Sequence, residues 1–104
     1  MRFIKKSQEY SEVFSNSYRL SGLYFNLRVK KQSDGFAVGI ITGKKTGNAV
    51  KRNLVKRRVK AYLRNHTEYS GKNVKIVIIS NDSTASASWN EICMDLDGLM
   101  KRIK

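Results

Sequence analysis

A run of 33 residues, from Gly35 to Thr67, contains no aspartate or glutamate. Nine of the chain's 21 lysine and arginine residues fall within this run, so the cations are concentrated in one third of the sequence. An evenly solvated surface normally mixes charges of both signs. The run therefore predicts a basic patch, and any fold of this chain must present these cations together.

The size and charge of the chain indicate a small domain with an anionic partner. Its 104 residues match one domain, and 40% of them are hydrophobic, which suffices for a real core and argues against a disordered tail. The 21 basic and 8 acidic residues give a net charge of +13. Such an excess is self-repelling unless a polyanion binds, so nucleic acid is the first candidate partner and an anionic membrane surface the second.

Two features bear on the compartment. The single cysteine, Cys93, excludes an intramolecular disulfide and a cysteine zinc site, and its apolar helical pattern predicts a core position. Residues 1–6 lack the long apolar run of a secretion signal, and no segment approaches the roughly 18 apolar residues of a membrane span. We therefore expect a cytoplasmic protein without a membrane partner.

Hydrophobic periodicity predicts the elements of the first half. Tyr10, Val13 and Phe14 form the apolar stripe of a short helix. The strict alternation of Phe25–Lys30 predicts a strand with one apolar and one basic face, and Ser33–Asp34–Gly35 is typical of a hairpin turn. The predicted elements are a helix over Ser7–Ser15 capped by Ser7, and strands over Tyr18–Leu20, Phe25–Lys30 and Phe36–Thr42.

The second half predicts two longer helices around a buried strand. Asn48 can cap a helix that runs to about Asn65, and the β-branched run Val74–Ile79 predicts the strand. Ser88 and Glu91 form a capping box for a last helix, whose core stripe is Ile92, Leu96, Leu99, Met100 and Ile103. The order αβββαβα predicts an α+β fold in two layers, and residues 1–104 are expected to form a single RNA-binding domain.

A helical wheel separates the chemistry of the segment from Asn48 to Asn65. One arc, suited to packing on the sheet, holds Val55, Val59, Tyr62 and Leu63. The adjacent arc holds Asn53, Lys56, Arg57, Lys60 and Arg64, with Arg52 between the two arcs and Lys44 and Lys45 before the helix. Guanidinium forks, ammonium groups and the positive helix N-terminus all suit a folded phosphate backbone, whereas the alternative is a solvated helix face.

The sequence offers no catalytic group of its own. Three residues rather than four separate Gly39 from Gly43, and Lys45 replaces the hydroxyl residue of a phosphate-binding loop, which argues against an ATPase. The lone histidine, His66, lies at the end of the basic helix, where a charged imidazole is favoured, so we expect it to act at the helix C-terminus or to contact RNA rather than to serve as a general base. The acidic residues show no metal-ligand spacing, so metal sites stay unknown and any catalytic machinery is expected in a partner.

The run Lys44–Arg58 resembles the signature KKxGNAVxRNRxKRxxR of the ribonuclease P protein component family. Residues 3–14 resemble that family's opening helix and residues 76–80 its last strand, so the resemblance covers nearly the whole chain. It implies a ribonuclease P protein-like fold, similar to the second domain of ribosomal protein S5. That fold has a left-handed βαβ crossover, against the usual hand.

The resemblance also implies a function. Members of the family assist the endonucleolytic removal of the 5′ leader of precursor tRNA by ribonuclease P, whose RNA subunit holds Mg²⁺ and performs the chemistry. The implied partners are ribonuclease P RNA and precursor tRNA, with no obligate protein partner evident. By position, the implied RNA contacts are Lys44, Lys45, Arg52, Asn53, Lys56, Arg57 and Lys60, to which the basic arc adds Arg64. A cleft for the leader, between the first helix and the sheet, would be lined by Phe14, Tyr18, Arg28 and Lys30.

Several alternatives stay open. Core packing is the other role for Phe14 and Tyr18. Leu54 replaces the signature's second Arg, and Lys60 and Asn81 stand where the family usually has Arg. A structural RNA-binding protein of the ribosomal type has a similar composition, and a DNA-compacting or membrane-surface protein is a third possibility.

Overall fold

The computed structural model describes residues 2–33 and 35–103, and its mixed α+β domain confirms the predicted fold class. The strands are β1 (Arg2–Phe3), β2 (Tyr18–Ser21), β3 (Phe25–Lys31), β4 (Phe36–Thr42) and β5 (Val74–Ser80). The helices are α1 (Ser7–Ser15), α2 (Ala49–Asn65) and α3 (Trp89–Lys101), with 3₁₀ turns at Lys44–Thr46, Thr67–Gly71 and Thr84–Ser86. The short strand β1 was not predicted, because two residues carry no readable alternation.

The strands form one sheet in the order β1-β4-β5-β3-β2. β1 and β5 run parallel to β4, whereas β3 runs antiparallel to both β5 and β2. The predicted hairpin between β3 and β4 is therefore wrong, since β5 lies between them; Asp34, in its predicted turn, lies outside the described residues. The physical reason is that β5 is apolar on both faces, with Ile76 and Val77 both fully buried, and such a strand belongs at the centre of a sheet.

The helix α2 connects two neighbouring parallel strands, β4 and β5. This is the βαβ unit that the family resemblance implies, and the left hand of its crossover stays a prediction. Asn48 caps α2 as predicted, because its side chain accepts a hydrogen bond from the Lys51 N–H at 3.0 Å. The capping box of α3 is also confirmed, with Ser88 and Glu91 each accepting a backbone N–H from the other.

The main core lies on the face of the sheet that α2 and α3 cover. The strand residues on this face alternate along the chain, for example Phe25, Leu27 and Val29 on β3. All the predicted core residues of both helices are buried: Val55, Val59, Tyr62, Leu63, Ile92, Leu96, Leu99, Met100 and Ile103. Cys93 is half-buried and packs against this core.

The helix α1 lies on the opposite face, over a smaller core made by Ile4, Val13, Ala37 and Val77. The ring of Tyr10 lies against Gly39, where an added Cβ would come within 2.5 Å of Tyr10 Cε1. The expected cap at Ser7 is wrong: the extended residue before α1 is Lys6, which makes no side-chain capping bond. Because α1 covers only part of this face, polar residues of β3 stay accessible beside it.

Candidate nucleic-acid interface

The turn that precedes α2 has one buried threonine, which fixes it to the sheet, and two exposed lysines. Thr46 is buried, and its Oγ1 lies 2.9 Å from Ser80 Oγ and 3.3 Å from the carbonyl oxygen of Asn81. These bonds tie the turn to the end of β5. Lys44 and Lys45, on the same turn, remain exposed.

Gly47 and Asn48 then set the direction of α2. Gly47 has φ +138°, a backbone conformation that strains any residue with a side chain, and a Cβ at this position would also push the Lys51 side chain aside. The Asn48 cap leaves the helix N-terminus beside the two exposed lysines. The partial positive charge of that N-terminus adds to theirs.

The basic face of α2 is fully exposed and free of acids. We define it as Asn53, Lys56, Arg57, Lys60 and Arg64, all of which the structure leaves in solvent, while the neighbouring Arg52 is half-buried. The ion pairs of the described residues involve Arg2 and Lys75, His66 Nε2 lies 3.7 Å from Asp97 Oδ1, and none of these contacts involves this face. Lys60 Nζ lies 5.6 Å from the centre of the Phe3 ring, so the face extends towards the β1 edge of the sheet.

Arg58 does not belong to this face. Its guanidinium donates a hydrogen bond to the carbonyl oxygen of Ala87 at 3.1 Å and so holds the segment that leads into α3. Leu54, in the place of the signature's second Arg, is half-buried, whereas its neighbour Asn53 is exposed. The replacement of Arg by Leu54 therefore removes one cation from the signature and leaves the basic face of α2 unchanged.

A second basic surface lies on the α1 side of the sheet. We call Phe14, Arg28 and Lys30 the sheet surface. The Arg28 guanidinium carbon lies 5.5 Å from the centre of the Phe14 ring, which is 37% exposed. Lys30 follows two residues later on β3 and points to the same side. The ring and the two cations together could stack a base and bind its phosphates.

Tyr18 is the one predicted cleft residue that the structure separates from the others. It is paired with Val29 across β2 and β3, and its ring packs against the main core. Paired residues of antiparallel strands share a face, so Tyr18 faces away from Arg28. It does border a cavity of about 240 Å³ at the end of β3, which is lined by Asn16, Ser17, Tyr18, Val29, Lys30 and Lys31.

Lys75 was not predicted as part of any site. It is the only cation within β5, and the structure points it at α1, where Glu9 Oε2 lies 3.2 Å and Glu12 Oε2 3.3 Å from its Nζ. The Arg2 guanidinium makes two further bonds to Glu9 and, with Lys75, lowers the pKa of that carboxyl to about 2. A charged lysine in an otherwise apolar strand needs acidic partners to stay charged. Its position in the apolar run of β5 could therefore have predicted this network.

His66 and Asn81 are both bound to other parts of the fold. His66 Nδ1 lies 2.8 Å from the Tyr62 carbonyl oxygen, and its ring stacks on Tyr62 with centroids 4.1 Å apart. Asn81 donates from its backbone N–H to the Tyr24 carbonyl and accepts from the Ser83 N–H. Asn81 thus closes the loop after β5.

The described residues contain neither a metal-binding cluster nor a membrane-spanning helix. No three His, Cys, Asp or Glu side chains in residues 2–33 and 35–103 are grouped so that they could hold a metal ion. Within the same part of the chain, no helix is long and apolar enough to cross a membrane.

Comparison with known proteins assigns the family. The sequence profile of the family described as Ribonuclease P matches residues 1–104. The chain belongs to the ribonuclease P protein family. Among its relatives is the ribonuclease P protein component of Halalkalibacterium halodurans, 32% identical over 97% of this chain and 87% of the relative. The component of Enterococcus faecalis is 31% identical over the same shares of the two chains.

Solved structures of ribonuclease P proteins share the fold. The protein from Thermotoga maritima superposes with a TM-score of 0.89 over 100% of this chain and 99% of its own, at 23% identity. The Staphylococcus aureus protein gives a TM-score of 0.88 over 97% and 94% of the two chains, also at 23% identity. At such identities the superpositions establish the fold, while the sequence profile establishes the family.

Proposed function

We propose that this protein is the subunit of ribonuclease P that binds both the catalytic RNA and the 5′ leader of precursor tRNA. In this role it assists the endonucleolytic removal of the leader, in the bacterial cytoplasm. The observation that carries the proposal is the exposed, acid-free basic face of α2, in a chain whose whole length matches the family.

The two basic surfaces suit two different RNA structures. The basic face of α2, with Lys44 and Lys45, presents cations along a rigid helix, which suits the closely spaced phosphates of a folded RNA. The sheet surface combines the exposed ring of Phe14 with Arg28, which suits a single strand with unpaired bases. We assign the first surface to ribonuclease P RNA and the second to the leader.

In this proposal the RNA subunit carries the chemistry and holds most of the Mg²⁺. The acids of α1 and α3 that could serve other roles are committed to the fold. Glu9 and Glu12 bind basic side chains, while Glu91 accepts from the Tyr24 hydroxyl and Asp97 from that of Tyr62. The protein's contribution is therefore binding and positioning.

The test is cleavage of precursor tRNA at low Mg²⁺ by ribonuclease P RNA, with and without this protein. We expect a marked gain in cleavage at the mature 5′ end, and a smaller gain for Arg57→Ala at equal protein concentration. A protein that binds structured RNA tightly but gives no gain would instead be a structural RNA-binding protein of the ribosomal type.

A further inference from the structure

The helix α1 is weakly held by apolar contacts. It has only nine residues, too few for a stable helix in isolation, and Val13 is its only fully buried residue. The small core beneath it contains Ile4, Ala37 and Val77, and the partly buried Tyr10 packs against it and donates a hydrogen bond from its hydroxyl to the Ile4 carbonyl oxygen. Ionic contacts add to this small apolar core in fixing where α1 lies on the sheet.

The ionic contacts of α1 converge on Lys75. Its ammonium group lies between the carboxylates of Glu9 and Glu12, one helical turn apart on α1, and its side chain is only 16% exposed. Arg2, on the edge strand, holds Glu9 from the other side with bonds of 3.0 and 2.6 Å. The network thus joins α1 to the centre of the sheet through Lys75 and to its edge through Arg2.

The sheet register explains why two carboxylates are needed. Lys75 lies directly opposite Lys30 on the neighbouring antiparallel strand, so both side chains leave the same face of the sheet. Two like charges at such a position repel each other. Glu9 and Glu12 compensate Lys75, which leaves Lys30 as the accessible cation.

We propose that Lys75, Glu9 and Glu12 form a clamp that positions α1 over the sheet, so that Phe14 lies beside Arg28 and binds single-stranded RNA. Phe14 lies two residues after Glu12, so a shift of the clamp moves the ring relative to the guanidinium. Lys75 is a positioning residue and makes no RNA contact of its own. This inference rests on the proposed function, because the leader is the single strand concerned.

The clamp can be tested by whether the removal of its two acids weakens or tightens RNA binding. Removing acids from an RNA-binding protein should tighten binding if charge alone matters, and it should free Lys75 for phosphate if Lys75 contacts RNA. The clamp predicts the opposite result. Its loss lets α1 move, and the contact between base and ring weakens.

The experiment measures binding of a single-stranded RNA of about ten nucleotides to the full-length protein. The test variant carries Glu9→Gln and Glu12→Gln. The matched control carries Glu68→Gln and Asp82→Asn, two exposed acids outside α1 whose removal changes the net charge equally. We expect the test variant to bind about tenfold more weakly, as for loss of one base–aromatic contact, and the control to bind as well as or better than the parent.

Two further measurements keep the outcomes distinct. Lys75→Arg, which retains the charge between the two glutamates, should bind the oligonucleotide like the parent, and circular dichroism confirms that each variant is folded. A folded test variant with unchanged or tighter binding would overturn the clamp. Failure of the parent protein to bind ribonuclease P RNA would overturn the proposed function instead.

Discussion

Neighbouring residues of the signature have different tasks. Thr46, Gly47 and Asn48 shape the entry to α2, whereas Lys44 and Lys45 stay exposed. The motif therefore encodes a local structure as well as a set of exposed basic side chains. Which residue does which depends on its angle about the helix and on what lies beside it.

Arg57 and Arg58 are neighbours with different roles, since Arg57 is exposed on the basic face of α2 and Arg58 is bonded within the fold. Arg57→Ala should flatten the dependence of RNA affinity on salt by about 0.9 in log–log slope, because one phosphate contact is lost. Arg58→Ala should leave that slope unchanged and lower the free energy of unfolding by about 1 kcal/mol, because it removes the hydrogen bond to Ala87. Salt titrations and urea unfolding of both variants check this, and equal slopes for the two would contradict it.

The contribution of Glu9 to the stability of the folded protein should depend on pH. Because Arg2 and Lys75 lower its pKa from 4.5 to about 2 in the folded protein, the unfolded state binds its proton first as the pH falls. The stabilisation is complete above pH 4.5 and disappears as the pH approaches 2. Glu9→Gln should therefore be less stable than the parent near neutral pH and lose this difference in acid. Urea unfolding at a series of pH values measures it, and a constant difference would refute it.

The elements are joined by polar contacts as much as by the core. Asp95 of α3 accepts hydrogen bonds from the backbone N–H groups of Leu23, Tyr24 and Phe25 at 2.8–3.0 Å, which fixes the connection between β2 and β3. The Tyr24 hydroxyl adds a bond to Glu91 at 2.6 Å. The acids of α3 thus serve the fold and lie away from the basic face of α2.

We expect replacement by alanine to have opposite effects at two glycines, Gly47 just before α2 and Gly98 inside α3. Gly47→Ala should destabilise the protein by about 1–3 kcal/mol, because the backbone has φ +138°, a conformation that an alanine adopts only with strain. Gly98→Ala, inside α3 with nothing within 4 Å of its Cβ position, should stabilise it by roughly 0.5–1 kcal/mol. Urea midpoints measure both, and the same sign for the two would show that helix entry is not strained.

At the scale of the whole molecule, the sheet separates the two basic surfaces. α2 packs on one face through Val55 and Val59, and Arg28 leaves β3 towards the other face beside Phe14. A folded RNA and a single strand can therefore approach from different sides.

Simultaneous binding follows from this arrangement. A labelled single-stranded RNA should keep its affinity when ribonuclease P RNA saturates the protein. Phe14→Ala should weaken binding of the single strand by about tenfold while sparing the folded RNA, and Arg57→Ala should do the reverse. Fluorescence anisotropy with each ligand checks both variants, and mutual displacement of the two RNAs would indicate one shared surface.

The sequence by itself determined the local features. The caps at Asn48 and Ser88, the apolar arcs of α2 and α3, and the exposed basic face each depend on spacing within one segment, so they could be read from the chain. The acid-free run likewise predicted a basic patch, and the ordered signature predicted the family.

Only the tertiary structure decided which strands are neighbours and which side chains meet across them. Local turn signals favoured a hairpin between β3 and β4, but burial of both faces of β5 places that strand between them. The same insertion sets Lys75 opposite Lys30 and under Glu9 and Glu12, and the pairing of β2 with β3 turns Tyr18 towards the main core. These contacts join residues far apart in the chain, where periodicity and spacing carry no information about pairing.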